Sequence, residues 1–195
     1  MSHAAPAFRF NRSDHAYTVG ARRIPSVTGM LADCGIISNA FYTEEGAERG
    51  TRIHDLAAQY DRGAITDVDG VDFNDDPNIR GWFLAHVSAM ELLRPTWDQI
   101  EVACVSHDGR WAGRPDRVGR LHGAHVICDI KTGGSEKWHG IQTALQDLLV
   151  GELPTMLRHR YGLYLARTGK WKLIPHDDKR DYDRARDVLQ ACLTT

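Results

Sequence analysis

Residues 113–134, "GRPDRVGRLHGAHVICDIKTGG", carry the clearest structural pattern in the chain. The second half of this stretch reads as a strand in which alternate side chains face opposite sides, so Asp129 and Lys131 project side by side. The His122–Gly123 pair suits a tight turn between two antiparallel strands. We therefore predict that the preceding strand brings Asp116 close to the same place.

Carboxylates on neighbouring strands beside a lysine are the groups that metal-dependent phosphodiester cleavage needs. Hard oxygen ligands bind Mg²⁺ or Mn²⁺ and leave positions for water and phosphate. A nearby lysine can orient the attacking water, help to deprotonate it, or offset charge on the phosphate. An isolated Asp-x-Lys also occurs as an ordinary solvated strand end with an ion pair, so the interpretation depends on the rest of the chain.

Length and composition are those of one ordinary globular domain. The 195 residues can bury a core without disulfides or metals, and 42% hydrophobic with 26% charged residues argues against disorder. The net charge of −2 neither favours nor excludes a nucleic-acid partner. No segment has the composition of a membrane span or a signal peptide, so we expect a cytoplasmic protein with no membrane partner.

The cysteines give no sign of a metal cluster. They contain no C-x-x-C pair, so we expect neither structural zinc nor an iron–sulfur cluster. The four cysteines are Cys34, Cys104, Cys128 and Cys192.

Periodicity in the first half of the chain predicts a hairpin followed by helices. Alternation around turn residues indicates a small hairpin over residues 8–27, and Ser26 or Thr28 can cap a helix that starts in "PSVTGML". Apolar residues at helical spacing predict helices over 43–62 and 78–93. The residues of the second helix that we expect to face inward are Phe83, Val87 and Met90. The acidic segment "DVDGVDFNDD", between these two helices, lacks the Glu that closes a calcium loop and is predicted to be a solvated connection.

The second half of the chain alternates between strands and helices. The strands of a predicted three-stranded meander cover residues 99–106, 110–118 and 125–132. Its turns lie at Asp108–Gly109 and His122–Gly123. A helix over 137–152, a hairpin over 161–176 and an amphipathic helix over 177–195 complete an α/β domain with a mixed sheet.

The order of these motifs resembles the PD-(D/E)xK nuclease superfamily, in the branch of the RecB nuclease domain, the mitochondrial genome maintenance exonuclease and many phage exonucleases. The resemblance covers most of the chain. "IPSVTGML" is similar to the N-terminal segment of that branch, and "RGTRIH" to its helix with a metal-binding His. "GRPD" resembles the first acidic motif, "DIKTG" the second, and "HGIQTALQ" the Gln motif on the next helix.

The resemblance implies a restriction-endonuclease-like αβββαβ core, with a mixed central sheet flanked by helices and an N-terminal hairpin and helices. The whole chain, 1–195, would be a single nuclease domain. Within it, residues 1–40 would hold the N-terminal hairpin and helix start, 98–175 the catalytic core and 177–195 the C-terminal helix.

The resemblance also assigns roles to individual residues. The implied ligands of Mg²⁺ or Mn²⁺ are His54, Asp116, Asp129 and the backbone carbonyl of Ile130. The other implied catalytic residues are Lys131, Glu101 and Gln142. An imidazole ligand makes Mn²⁺ a suitable ion in vitro. Taken alone, His54 also fits a packed helix residue, Gln142 a surface residue and Glu101 a charged strand start.

Two departures from the superfamily stand out. Its members often carry a Tyr four residues after the Gln, where this chain has Gln146. The cysteine cluster of some relatives is absent, which agrees with the expectation of no iron–sulfur cluster.

Basic and aromatic residues suggest contacts with DNA. Two arginines flank the first acidic motif, a Trp opens the Gln helix at an end that favours phosphate, and residues 158–172 mix basic and aromatic side chains. A solvated strand surface explains the last segment equally well. The substrate-binding candidates are Arg114, Arg117, Trp138, Arg160 and Tyr164.

These inferences predict a metal-dependent deoxyribonuclease, and the resemblance makes it an exonuclease of recombination, repair or phage DNA processing. DNA and a single-strand annealing or recombination protein are the partners that this prediction implies, and it is compatible with an oligomer. Two alternatives stay open. One is a structure- or sequence-specific endonuclease, and the other is a nucleic-acid-binding module without catalysis.

Overall fold

The structure is a computed structural model that describes residues 7–37, 43–73, 76, 78–151 and 158–194. The predicted segments 1–40, 67–76, 137–152 and 177–195 each include residues outside this set. None of the helices in the described ranges combines the length and the apolar composition that a membrane crossing requires.

A three-stranded antiparallel sheet opens the chain. Its strands are β1 (Phe8–Asn11), β2 (Ala16–Val19) and β3 (Arg22–Ile24). The predicted hairpin is confirmed and gains a third strand, and Tyr17 stacks on the rings of Phe8 and Phe10. The Ser26 hydroxyl then accepts a hydrogen bond from the Gly29 amide, 2.9 Å away, which makes Ser26 the helix cap.

Three helices follow, α1 (Val27–Asp33), α2 (Glu44–Asp61) and α3 (Ile79–Leu93). The last two match the predicted helices to within one residue at each end. Thr43 caps α2 by accepting a hydrogen bond from the Gly46 amide. The three residues of α3 predicted to face inward are all buried: Phe83, Val87 and Met90.

The described residues after α3 form seven strands and two helices. They are β4 (Thr96–Ile100), β5 (Cys104–Val105), β6 (Ala112–Gly113), β7 (Arg117–Leu121), β8 (Ala124–Lys131), α4 (Trp138–Val150), β9 (His159–Leu165), β10 (Trp171–Pro175) and α5 (Arg180–Leu193). The central sheet has the order β10-β9-β8-β7-β4, in which β8 and β9 are parallel and all other pairs antiparallel. The prediction of a mixed sheet is therefore confirmed, and so is the predicted hairpin, which forms β9 and β10 at one edge of that sheet.

The predicted three-stranded meander is wrong in its sheet assignment, whereas its first turn, at Asp108–Gly109, is confirmed. Cys104–Val105 and Ala112–Gly113 do not join the central sheet but pair with each other as a separate ribbon around the Asp108–Gly109 turn. The chain leaves the sheet at Glu101, whose φ of 54° lies in the left-handed region and ends β4. Consequently β7 pairs with the earlier residues Thr96–Ile100.

Helices cover both faces of the central sheet. Apolar residues of α2 and α3 pack with Cys128, Ile130 and Leu163 of β8 and β9 on one face. On the other face, α4 lies against β8 and β9 and packs with α1 and α5 around Leu145 and Tyr182. In β8 the side chains alternate as predicted, so Asp129 and Lys131 face α4.

A substitution at Gly119 in β7 tests the close approach of β4 and β7. A side chain there would collide with the Thr96 carbonyl and lie 2.8 Å from the Cα of Trp97. We expect Gly119→Ala to lower the free energy of unfolding by about 1–3 kcal/mol, measured by urea denaturation. Gly134→Ala is the control, because a Cβ there meets no atom within 4 Å; it should change stability by less than about 0.5 kcal/mol. Equal effects of the two substitutions would contradict the close approach.

Candidate metal centre

A cleft of about 520 Å³ opens between the first half of α2, the end of β8 and the start of α4. An adjoining cavity of about 400 Å³ shares His54, Asp116 and Gln142 with it, and adds Arg114 and Gln146. The sequence-predicted residues that line the larger cleft are His54, Asp116, Asp129, Ile130, Lys131, Trp138 and Gln142. The fold thus brings residues of α2, β8 and α4 together with Asp116, the residue that precedes β7.

The closest group of potential metal ligands consists of His54, Glu101 and Asp116. The Nδ1 atom of His54 lies 3.2 Å from Oε1 of Glu101 and 3.4 Å from Oδ1 of Asp116. One ligand atom from each residue fits within a mutual distance of 4.8 Å. Two carboxylate oxygens and one imidazole nitrogen suit a divalent cation such as Mn²⁺ or Mg²⁺. The donor set therefore fits the metal that the resemblance implies.

The surroundings of His54 favour positive charge. Its side chain is 24% exposed. Burial by itself would lower the pKa of His54, but the carboxylate of Asp116, and then that of Glu101, outweighs burial and raises the pKa to about 10. These carboxylates would equally stabilise a metal ion at the same place.

Asp116 is fixed by hydrogen bonds on both its side chain and its backbone. Its Oδ2 atom accepts a hydrogen bond of 2.6 Å from the amide of Ile130, and its carbonyl accepts one of 2.9 Å from the amide of Glu101. The residue is 7% exposed. Oδ2 is therefore hydrogen-bonded to the backbone of β8, while Oδ1 faces His54.

Glu101 occupies a strained position. It follows the last residue of β4 and has φ of 54°, which costs a non-glycine residue roughly 1–3 kcal/mol when the surroundings enforce it. The sequence predicts that Glu101 lies at the start of a strand, whereas the structure places it just after one. Its side chain is held by Arg114, whose Nε lies 3.2 Å from Oε2, and by Arg117, whose Nη1 lies 3.4 Å from Oε1.

Asp129 and Lys131 form a second group, which makes hydrogen bonds with side chains of α4. The Nζ atom of Lys131 lies 2.6 Å from Oδ2 of Asp129 and donates to Oε1 of Gln142 at 2.8 Å. Nε2 of Gln146 donates to Oδ1 of Asp129 at 2.9 Å. Residues four apart on a helix rise about 6 Å, and residues two apart on a strand about 6.6 Å. The two glutamines of α4 therefore fall in register with the Asp and Lys of β8.

The predicted ligand set is thus divided between the two groups. His54 and Asp116 lie with Glu101, which the resemblance implies as a catalytic residue but not as a metal ligand. Asp129 belongs to the second group, in which it contacts the ammonium of Lys131 on the same face of β8 and the side-chain amide of Gln146. Ile130 lines the cleft, and its amide is bound to Asp116.

Gln146, noted from the sequence only as a departure, has a defined role in the structure. An ionised carboxylate can only accept hydrogen bonds, so the amide must turn its nitrogen towards Asp129. Its Oε1 is then directed away and has no hydrogen-bond partner among the described residues. Gln146 is only 3% exposed and lines the adjoining cavity.

Two of the predicted substrate-binding residues lie at the cleft. Arg114 lines the adjoining cavity, with its guanidinium 5.2 Å from the ring centre of Phe10. Trp138 lines the larger cleft, and its ring centre lies 4.9 Å from Nζ of Lys131. Both side chains keep part of their surface exposed, so each can meet a ligand in the cleft.

The other three substrate-binding predictions are corrected, because Arg117, Arg160 and Tyr164 are buried. Arg160 donates to the carbonyls of Gly140 and Asp178, at 2.6 and 3.2 Å, under α4 and the start of α5. Strand alternation could not reveal that these helices cover this face of β9.

Tyr164 is enclosed between two histidines. Its hydroxyl lies 2.8 Å from Nδ1 of His139 and 3.3 Å from Nε2 of His176. Burial, followed by the charge of Lys131, lowers the pKa of His139 to about 3, and burial lowers that of His176 to about 4. Both imidazoles are therefore neutral near pH 7, and the Tyr164 hydroxyl is occupied by them rather than by substrate.

Sequence reasoning missed a buried network behind Glu101. Arg117 contacts Asp61 of α2, and Asp61 contacts His86 of α3. Although burial opposes ionisation, the hydrogen bond from His86 and the charge of Arg117 keep the pKa of Asp61 below its usual value. The helical spacing of the sequence could have indicated that Asp61 and His86 face inward. Asp61 lies seven residues after His54, on the same helix face, and His86 lies three residues after Phe83, on the buried stripe.

Comparison with known proteins adds little to this geometry. No protein-family model matches the chain, and a comparison with curated protein sequences finds no similar protein. Among solved structures, the crystal structure of SSO0001 is similar at a TM-score of 0.33 and 17% sequence identity, over 85% of this chain and 84% of that chain. A TM-score of this size carries no argument about fold or function.

The register between α4 and β8 predicts that a Gln→Glu substitution lowers stability at Gln146 but not at Gln142. Gln146→Glu places a second carboxylate against Asp129 and should lower the free energy of unfolding by about 1–3 kcal/mol at pH 8. The loss should shrink at pH 5, because a proton shared between the two carboxyl groups relieves the repulsion. Urea denaturation at both pH values measures the effect.

Gln142→Glu is the matched control, one helical turn away. There the new carboxylate faces the ammonium of Lys131, so we expect no comparable loss at pH 8. A similar loss for both variants would mean that burial of a charge, rather than repulsion from Asp129, determines the result.

Proposed function

We propose that the protein is a Mg²⁺- or Mn²⁺-dependent deoxyribonuclease that hydrolyses phosphodiester bonds in DNA. One observation carries the proposal. His54 and Asp116, which form a cluster with Glu101, line the same cleft as Asp129 and Lys131. Ligands for a divalent cation and a lysine beside them are the two parts that hydrolysis of a phosphodiester by activated water requires.

The cation would be held by the carboxylates of Glu101 and Asp116 and by the imidazole of His54. A bound Mg²⁺ or Mn²⁺ supplies Lewis-acid chemistry and makes a coordinated water more acidic. Asp116 is suited to this task because its Oδ2 is anchored to the Ile130 amide, which holds the residue in place while Oδ1 is offered to the ion. Asp129 lines the same cleft and would be a further carboxylate available to hold the ion.

Lys131 is the residue proposed to act on the substrate. Asp129 and Gln142 hold its ammonium at the floor of the cleft, and the Trp138 ring lies beside it. The ammonium could donate a hydrogen bond to a phosphate oxygen, where negative charge grows as the water attacks. Its side chain is 17% exposed, which leaves it a path into the cleft.

We further infer that the central sheet is a restriction-endonuclease-like core. The chain order of α3, β4, β7, β8, α4 and β9 is helix, three antiparallel strands, helix and a parallel strand. This order supports the inference. The first acidic residue would then precede β7, and the second would lie near the end of β8.

DNA is the substrate that the cleft suits, although the net charge of the chain is −2. The cationic side chains at the cleft and its adjoining cavity are Arg49, Arg114 and Lys131. They offer local positive charge to phosphates, and the Trp138 ring offers a surface on which a base could stack. By resemblance we propose exonuclease activity, with an endonuclease as the alternative to be separated by experiment.

Nuclease assays with Mn²⁺ test the proposal. Lys131→Ala should lower kcat on linear DNA by about 10²- to 10⁴-fold, because the general acid–base or electrostatic contribution is lost. Asp116→Asn should lose activity as well. Lys179→Ala, at the start of α5 and away from the cleft residues, is the control and should keep wild-type activity.

The form of the DNA separates the candidate activities. An exonuclease degrades linear DNA and leaves covalently closed circles intact, whereas an endonuclease cuts both. Wild-type protein that binds DNA but cleaves neither form with Mn²⁺ or Mg²⁺ would overturn the proposal in favour of a non-catalytic binding module.

A further inference from the structure

A buried chain of contacts leads from the candidate metal centre into the helical layer. Arg117 reaches Glu101 with Nη1 at 3.4 Å and donates from Nε to Oδ2 of Asp61 at 2.6 Å. The other oxygen of Asp61 lies 2.9 Å from Nε2 of His86. The side chains of Arg117, Asp61 and His86 are 1%, 2% and 0% exposed. None of these three residues lines the cleft, so they act on it only through Glu101 and Asp116.

The guanidinium of Arg117 lies between the carboxylates of Asp61 and Glu101 and is closer to that of Asp61. Its contact with Asp61 is 2.6 Å, whereas its contact with Glu101 is 3.4 Å. The same Nη1 also donates to the backbone carbonyl of Asp116 at 2.7 Å. Asp61 therefore takes the stronger ion pair, and Oε1 of Glu101, which Arg117 reaches only at 3.4 Å, also lies 3.2 Å from Nδ1 of His54.

Loss of the Asp61 charge would change this balance. A buried guanidinium with one remaining carboxylate partner forms the closest pair available, since an unpaired charge in the interior is costly. Glu101, whose Oε2 already lies 3.2 Å from Nε of Arg114, would then be drawn towards Arg117, and the two guanidiniums together would occupy both of its oxygens. A cation would have to compete with Arg117 for the Glu101 carboxylate.

His86 completes the arrangement. Its Nε2–H can donate to the Asp61 oxygen that Arg117 does not use, which fixes the carboxylate in the plane that suits Arg117. Burial keeps the pKa of His86 below its usual value despite Asp61, so the imidazole adds no second positive charge. His86 thus orients Asp61 without competing with Arg117 for its charge.

We propose that Asp61 and His86 are positioning residues, which hold Arg117 so that Glu101 stays available to a divalent cation. This inference rests on the proposed function, because it assumes that the His54, Glu101 and Asp116 cluster binds the ion. It extends the metal centre to two residues of α2 and α3 that do not touch the ion.

The chain offers a matched control in a second buried ion pair. Nη1 of Arg158 lies 3.0 Å from Oδ1 of Asp147, and the Tyr182 hydroxyl donates to Oδ2 of Asp147 at 2.7 Å. Asp147 and Arg158 are 1% and 6% exposed. Asp147 thus has the same kind of partners as Asp61, an arginine and a neutral donor, but it contacts none of the candidate metal ligands.

The experiment compares Asp61→Asn with Asp147→Asn in the full chain. Mn²⁺ binding is measured without DNA from the electron paramagnetic resonance signal of free Mn²⁺, and folding from circular dichroism and urea denaturation. Both variants should lose stability, because each removes the charged carboxylate that pairs most closely with a buried arginine. Only Asp61→Asn should weaken Mn²⁺ binding, by about 10-fold or more, as expected for a residue that supports a metal ligand. Asp147→Asn should bind Mn²⁺ within about twofold of wild type.

A double-mutant cycle separates positioning from a general structural effect. If Asp61→Asn acts by releasing Arg117 onto Glu101, its effect on Mn²⁺ affinity should be smaller in an Arg117→Gln background. A second pair of variants serves if Asp61→Asn does not fold. His86→Gln keeps an N–H donor and should retain most of the affinity, whereas His86→Leu should lose it.

Each outcome decides between the two proposals. Folded Asp61→Asn that binds Mn²⁺ like wild type overturns the positioning role and leaves the proposed function intact, as does equal affinity of His86→Gln and His86→Leu. Wild-type protein that binds no Mn²⁺ overturns the proposed function and the positioning role together.

Discussion

The parallel pairing of β8 with β9 is the constraint on which the candidate site depends. Parallel strands cannot be joined by a tight turn, so the chain must cross back over the sheet, and it does so through α4. The crossing lays α4 antiparallel to β8 and against the face that carries Asp129 and Lys131. Gln142 and Gln146 meet those two residues because the repeat of a helix and the repeat of a strand nearly coincide over this distance.

Local patterns were enough to predict the helices, most of the strands and part of the site. The boundaries of α2 and α3 follow from apolar spacing, and the β7–β8 hairpin from the turn at His122–Gly123. The alternation in β8 correctly separated Asp129 and Lys131 from the core-facing residues of the strand. His54 and Asp116 were identified by resemblance, and the fold brings them together. Their chemical roles stay predictions.

Other features could not be predicted because they depend on which surfaces meet. The left-handed backbone of Glu101 diverts the chain into a separate ribbon, and no local pattern marks a Glu for that conformation. Arg160 reads as a surface residue on an alternating strand, yet α4 and α5 cover it and their carbonyls satisfy its guanidinium. Asp61 and His86 lie on predictable helix faces, but their contact requires the packing of α2 on α3.

The wide separation of His54, Glu101 and Asp116 along the chain links the candidate site to folding. The three residues come from a helix, the end of a strand and the segment before another strand, and their side chains meet only after α2 has packed beside the sheet. A partly unfolded chain lacks the cluster. Affinity for a cation would therefore belong to the native state alone, and an ion bound there would stabilise that state by mass action. The chemistry proposed for the cleft could then appear only in molecules that have completed their tertiary packing.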